Sequence, residues 1–166
     1  MPDVVQAESW RIGRRAAVAA VGAALLAVAI WVVVQYANSQ LYSTAMSKAG
    51  QLDAAGKYDD EIASLSSYIA TNPPSGYRYQ ALLRLGDLQY KQHKYGDAFI
   101  SYEHAKALAS QTNAHIELGI AQSAAALGDR PTAAQAYQEL VKLTPVKDIE
   151  KKRGYEQSAL YYGRPR

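Results

Sequence analysis

The chain contains no cysteine, a single phenylalanine, two methionines and three histidines among its 166 residues. Without thiols it can make no disulfide and no thiolate metal site, and a lipid-modified N-terminal cysteine is excluded. Strand-like alternation of apolar and polar residues is missing, which argues against a sheet. There is no glycine-rich phosphate loop, no nucleophile elbow and no His-Glu zinc motif, so no enzymatic activity and no cofactor is expected. The charge is close to balanced, 18 Lys and Arg against 15 Asp and Glu, which gives no electrostatic case for nucleic acid. His93 falls in a turn, and His104 and His115 fall on successive helices where they could be neighbours. Two histidines without a third convergent ligand fall short of a metal site, and none is expected.

One further absence organises the chain. Ala16 to Val34 has no charge and no strongly polar side chain. As a helix these nineteen residues would span about 28 Å, close to the ~30 Å hydrocarbon core of a bilayer. Its Val, Leu and Ile side chains favour insertion by about 3 to 5 kcal/mol in total, an adequate anchor rather than a very apolar one. Trp31 and Tyr36 stand near its C-terminal end, where amphipathic rings favour the headgroup layer. Arg11, Arg14 and Arg15 precede the run, and the next basic residue after it is Lys48. That asymmetry predicts a cytoplasmic N-terminus and a C-terminal part on the extracytoplasmic side. A cleavable signal peptide is the competing reading, with Ala37-Asn38-Ser39 as a tolerable cleavage region, but signal cores of about 7–15 residues are shorter than this run. Ala16, Ala20 and Ala24, and again Ala19, Ala23 and Ala27, recur at helical spacing; such faces permit self-association in lipid, although an Ala-rich anchor explains them equally well.

The remaining residues, 37–166, are rich in helix formers. Breaks are expected at Gly56, over Asn72 to Gly76, near His93-Lys94, near Gln111 to Asn113, over Gly128 to Pro131 and at Thr144-Pro145. They divide the chain into helices of about 12–16 residues. The breaks repeat. Gly56 precedes Pro73, and Gly128 precedes Pro145, by the same interval. His93-Lys94-Tyr95 matches Gly56-Lys57-Tyr58 between them. Beyond these turns Ala98 aligns with Ala133, and Tyr102 with Tyr137. A period of this size is the signature of a helical repeat array.

On these residues the chain resembles the tetratricopeptide repeat family. The resemblance covers three units, about Leu41–Pro74, Tyr79–Thr112 and Ala114–Lys147. The second is the clearest, with Leu82, Leu85, Gly86, Tyr95, Ala98, Tyr102 and Ala105 in register. The third keeps Ala121, Gly128, Ala133, Tyr137 and Pro145, but Glu117 stands where the family prefers a large apolar residue. The first keeps Ala49, Gly56, Tyr58, Leu65 and Pro73, but Glu61 replaces the usual small alanine, which predicts a looser or rotated first hairpin. The expected organisation is therefore all-α: residues 1–15 as a cytoplasmic segment, 16–36 as a transmembrane helix, 41–147 as three repeats, and 148–166 as a capping helix and tail. Ile149, Tyr155, Ala159 and Tyr162 are the expected buried stripe of the cap. Asp59-Asp60-Glu61 reads as carboxylates favouring a helix N-terminus.

Thirteen tyrosines suit half-buried positions where the ring packs and the hydroxyl reaches water. Tyr77, Tyr79, Tyr161 and Tyr162 are less readily assigned to a core. The resemblance implies a scaffold that binds peptides or partner proteins along a groove lined by the first helix of each unit. In this chain that lining would be Ser43, Met46 and Asp53, then Gln80, Leu83, Asp87, Tyr90 and Lys91, then His115, Leu118 and Gln122. The carboxylate clamp of some family members is not expected, because Met46, Gly50, His115 and Gly119 occupy its positions. The layout also resembles the bacterial YfgM-like proteins, which implies an inner-membrane accessory to protein export. A constitutive structural subunit of a larger membrane complex is the alternative.

Overall fold

A computed structural model describes the backbone of residues 3–111 and 113–164, and side-chain surroundings from residue 19 onward. The described residues are helical with no strand. Helix α1 spans Asp3–Ala54, α2 Tyr58–Ala70, α3 Ser75–Lys91, α4 Tyr95–Leu108, α5 Ala114–Leu127, α6 Arg130–Leu143 and α7 Ile149–Gly163, with a 3-10 turn over Val146–Asp148 before α7. The chain divides into two units, Met1–Leu41 and Tyr42–Arg166.

The first unit is part of one long helix. The stretch from Ala19 has a mean hydropathy of 2.1 in its most apolar window, and none of that window is buried. Length and composition suffice for it to cross a membrane. The side chains of Arg11, Arg14 and Arg15, and of Ala16 to Val18, lie outside the described residues.

In the second unit each helix packs against the next in sequence from α2 to α7, and α3 also meets α5 directly. This is the architecture of stacked helix hairpins: α3 and α4 form one, α5 and α6 another, and the end of α1 with α2 the first. The turns explain the breaks. Gly56 and Gly128 end their helices at φ of 67° and 78°, a left-handed conformation that glycine adopts without a Cβ penalty. His93 takes the same role at φ 59°, so a histidine stands where the equivalent turns carry glycine. Helix α5 begins at Asn113, whose side chain accepts from the His115 backbone N–H at 2.8 Å, and α6 begins at Asp129, with Pro131 in its first turn.

Two apolar clusters hold the hairpins together. One joins Ala49, Leu65, Leu85 and Leu88, from α1, α2 and α3. The larger joins Leu82, Leu83, Ala98, Tyr102, Ala105, Ile116, Ile120, Ala121, Ala136 and Leu140. Small residues sit where backbones approach: Ala98 and Ala133 are both fully buried, as their matched positions require.

Several expectations are corrected. One continuous helix, α1, carries both the apolar run and the first helix of the first hairpin. Glu61 is 1% exposed and takes Arg84 of α3 as its partner, with Nη2 at 2.6 Å and Nε at 2.8 Å from the same oxygen. The site that usually holds alanine thus holds one end of a buried ion pair. The acidic run is not only a helix-dipole feature, since Asp59 pairs with Lys94 at 2.7 Å. In the cap, Ala159 is buried and Tyr155 and Tyr162 half-buried, but Ile149 is 49% exposed. It is the first residue of α7, emerging directly from the 3-10 turn. Farther along α7, Tyr137 of α6 stacks on Tyr162 at 5.9 Å and lies 6.3 Å from Tyr155.

Candidate partner-binding groove

The contact between α3 and α5 creates the surface of most interest, and a ring from behind it sets the spacing. Tyr102 projects from α4 into the junction of the two helices. A Cβ built on Gly86 would meet the ring at 2.9 Å, and one on Gly119 at 2.4 Å. Neither distance is tolerable for a real side chain, so the two glycines are what admit the ring. Its hydroxyl donates to Asp87 Oδ1 at 2.7 Å. His115 Nε2 lies 2.7 Å from the same oxygen. One carboxylate of α3 therefore links the first helix of the third hairpin to the second helix of the hairpin before it. Burial first, and then the hydrogen bond to Asp87, push the Tyr102 hydroxyl well above the usual tyrosine range. The protonated donor is thus favoured in the fold; this stability is fully present below the ordinary value near 10 and is lost as pH rises past it.

The expected groove residues divide by exposure. Gln80, Asp87, Lys91 and His115 are exposed, while Tyr90, Leu118 and Gln122 are half-buried. Leu83 is 8% exposed and belongs to the main core, so it offers a partner little surface. Lys91 reaches toward the first hairpin, 3.6 Å from Asp53 and 3.4 Å from the Tyr58 hydroxyl, with its ammonium 4.5 Å from the centre of the Tyr58 ring. Its pKa is raised, chiefly by the bond to Tyr58, with Asp53 adding to it. Ser43 is exposed and Met46 packs at the edge of the smaller cluster. His104 is exposed on α4, and it is Asp87, not His104, that meets His115. No group of three or more His, Cys, Asp or Glu suited to a metal occurs among the described residues.

Two participants were not assigned to the groove from sequence. Tyr102 was legible as a packing ring but not as the donor that fixes Asp87. Asn113 donates to the Tyr79 hydroxyl at 3.1 Å, linking the start of α5 to α3. The signal for the first lies in two glycines, Gly86 and Gly119, one on each of the two first helices that meet, with a ring between them in sequence. The second has no comparable sequence signal.

The arrangement is that of a helix-hairpin solenoid with a polar, internally braced surface on its first helices, and stacked repeats of this kind create extended concave surfaces. A tetratricopeptide repeat protein from Parabacteroides merdae, seen in a crystal structure, matches with a TM-score of 0.61 and 22% identity over 74% of this chain and 49% of its own. The likeness shows a tetratricopeptide-like fold, and the chain spans about half the length of that protein. No protein-family model matches the sequence, and no curated protein does.

Proposed function

We propose that this chain is a single-pass protein of a bacterial-type inner membrane, with its repeats on the extracytoplasmic face as a non-catalytic scaffold for polypeptide partners. Residues 1–15 are its cytoplasmic segment, 16–36 its membrane span, 41–147 its repeats and 148–166 its cap. The observation that carries the scaffold role is the α3–α5 surface. Asp87, His115 and Tyr102 brace it, leaving Gln80 exposed and Tyr90, Leu118 and Gln122 half-open to a partner. A surface already ordered in the free protein loses less entropy on binding. The arginines before the apolar run support the orientation, and the YfgM-like layout supports a role beside protein export or envelope assembly.

Two measurements test this reading in the full chain. Ser75→Cys should react with a membrane-impermeant maleimide in intact cells; reaction only after lysis would place the repeats in the cytoplasm. A photo-crosslinking residue at Gln80 or Gln122 should yield discrete adducts, whereas one at the exposed Ser67 of α2 should not. The alternative of a fixed structural subunit draws on the apolar cleft between α6 and α7, lined by Val141, Ala159 and Leu160. It predicts the reverse pattern, with adducts at Gln157 of α7 and none at the groove.

A further inference from the structure

A second site lies away from the groove, where α4, α5 and α6 enclose a cavity of about 340 Å³. Its floor carries Glu117, the residue that departs from the apolar preference of its position. Glu117 is 1% exposed. Lys106 of α4 brings its ammonium within 2.7 Å of Oε1, but neither carboxylate oxygen has a hydrogen-bond partner among the described residues. Taking a carboxylate out of water costs several kcal/mol unless charge and hydrogen bonds compensate, and here the compensation stops at one ammonium. Glu103 and Glu139 also line the cavity. Glu139 has its own partner outside, Lys142 at 2.6 Å, and Glu103 has no ion pair among those described. The walls thus retain one negative charge in excess. Phe99 and Ile120 supply apolar wall beside the carboxylates.

We infer that this cavity receives the cationic side chain of an arginine or lysine from a partner polypeptide. An extended alkyl stem suits Phe99 and Ile120, and the charged head would supply the donor that Glu117 Oε2 lacks. Charge-assisted hydrogen bonds to carboxylates are the strong ones, and a desolvated carboxylate has fewer waters to surrender. A volume at the lower end of small-ligand sites accommodates one side chain rather than a folded element. A metal ion is disfavoured by the mixed apolar wall and by the absence of a suitable ligand group among the described residues. The inference shares with the groove reading only that the partner is a polypeptide.

The test is a titration of the full chain in micelles, following the methyl resonance of Ile120. The probes are a capped Ala-Ala-Arg-Ala-Ala peptide, its citrulline isostere and free spermidine. The arginine peptide should shift Ile120 saturably, and the uncharged isostere should not. Glu117→Gln should weaken the response about tenfold or more. Glu103→Gln, at a half-buried position with no ion pair to lose, should weaken it without disturbing the fold. Lys106→Met should strengthen it, since the resident ammonium competes for the same carboxylate. Equal responses to arginine and citrulline peptides, or none to either, would overturn the assignment. A response to spermidine alone would also overturn it, by making the site one for free polyamines. Adducts at Gln80 and the shift at Ile120 are separate readouts, so the groove and the cavity can fail independently.

Discussion

Gly119→Val should be among the most damaging single substitutions in the repeat domain, lowering its stability by about 3 kcal/mol, the upper end of the usual cost of overpacking. The position has no spare volume: a Cβ there would stand 2.4 Å from the Tyr102 ring. The ring cannot simply move away, because Gly86 holds its other side and its hydroxyl is bonded to Asp87 at 2.7 Å. Thermal unfolding of the full chain in detergent, followed by circular dichroism, should show a midpoint lower by roughly 10 °C for a domain of this size. Gly154→Ala provides the contrast. It lies within α7 with nothing within 4 Å of its would-be Cβ, so the helix should gain about 0.5–1 kcal/mol from the better helix former. Tyr102→Leu combined with Gly119→Val should recover part of the loss by removing the obstacle. An unchanged midpoint for Gly119→Val would mean that the ring does not occupy the α3–α5 junction.

That junction also shows where sequence reasoning reaches and where it stops. Helix ends were legible because Gly56, Gly128, Pro73 and Pro145 act locally: glycine admits a left-handed turn, and proline fixes φ and removes a donor, wherever each stands. The repeat followed because those punctuators recur with matching small and aromatic positions. Long-range pairings of charged side chains were not legible. Glu61 and Glu117 look like simple departures from a pattern, and nothing adjacent to them announces Arg84 or Lys106. Those partners lie on other helices, 23 residues on in the case of Arg84, and only packing brings them together. Leu83 and Ile149 show the same limit for burial. Helical phase places Leu83 near the groove and Ile149 on the inner stripe, but small changes in helix rotation and in the entry to α7 decide which side is covered. Among the groove residues the polar ones emerged as surface, while their bracing by Tyr102 came from the tertiary arrangement alone.

The Glu61–Arg84 pair gives the second large effect, and it turns on asymmetry. Arg84→Met keeps most of the side-chain stem but leaves Glu61 buried without a countercharge. Breaking a buried pair on one side costs about 3–5 kcal/mol. The lower end applies here, about 3 kcal/mol, because the Arg84 side chain is 36% exposed and water already screens part of the attraction. Glu61→Gln should cost less, since Arg84 can turn its guanidinium to solvent while a neutral amide keeps the shape of the carboxylate. The double variant should then be more stable than Arg84→Met alone, because the stranded charge is gone. Chemical denaturation of the four proteins closes the cycle, and a coupling of at least 1 kcal/mol is expected for contacting charged residues. Strict additivity would mean that the two side chains do not interact in solution. The test matters beyond stability, because Arg84 stands on the same helix as Gln80, Asp87 and Tyr90. If Glu61 fixes the rotation of α3 through Arg84, Arg84→Met should also reduce crosslinking at Gln80 under conditions where the domain remains folded, and Glu61→Gln in that background should restore stability without restoring the adducts.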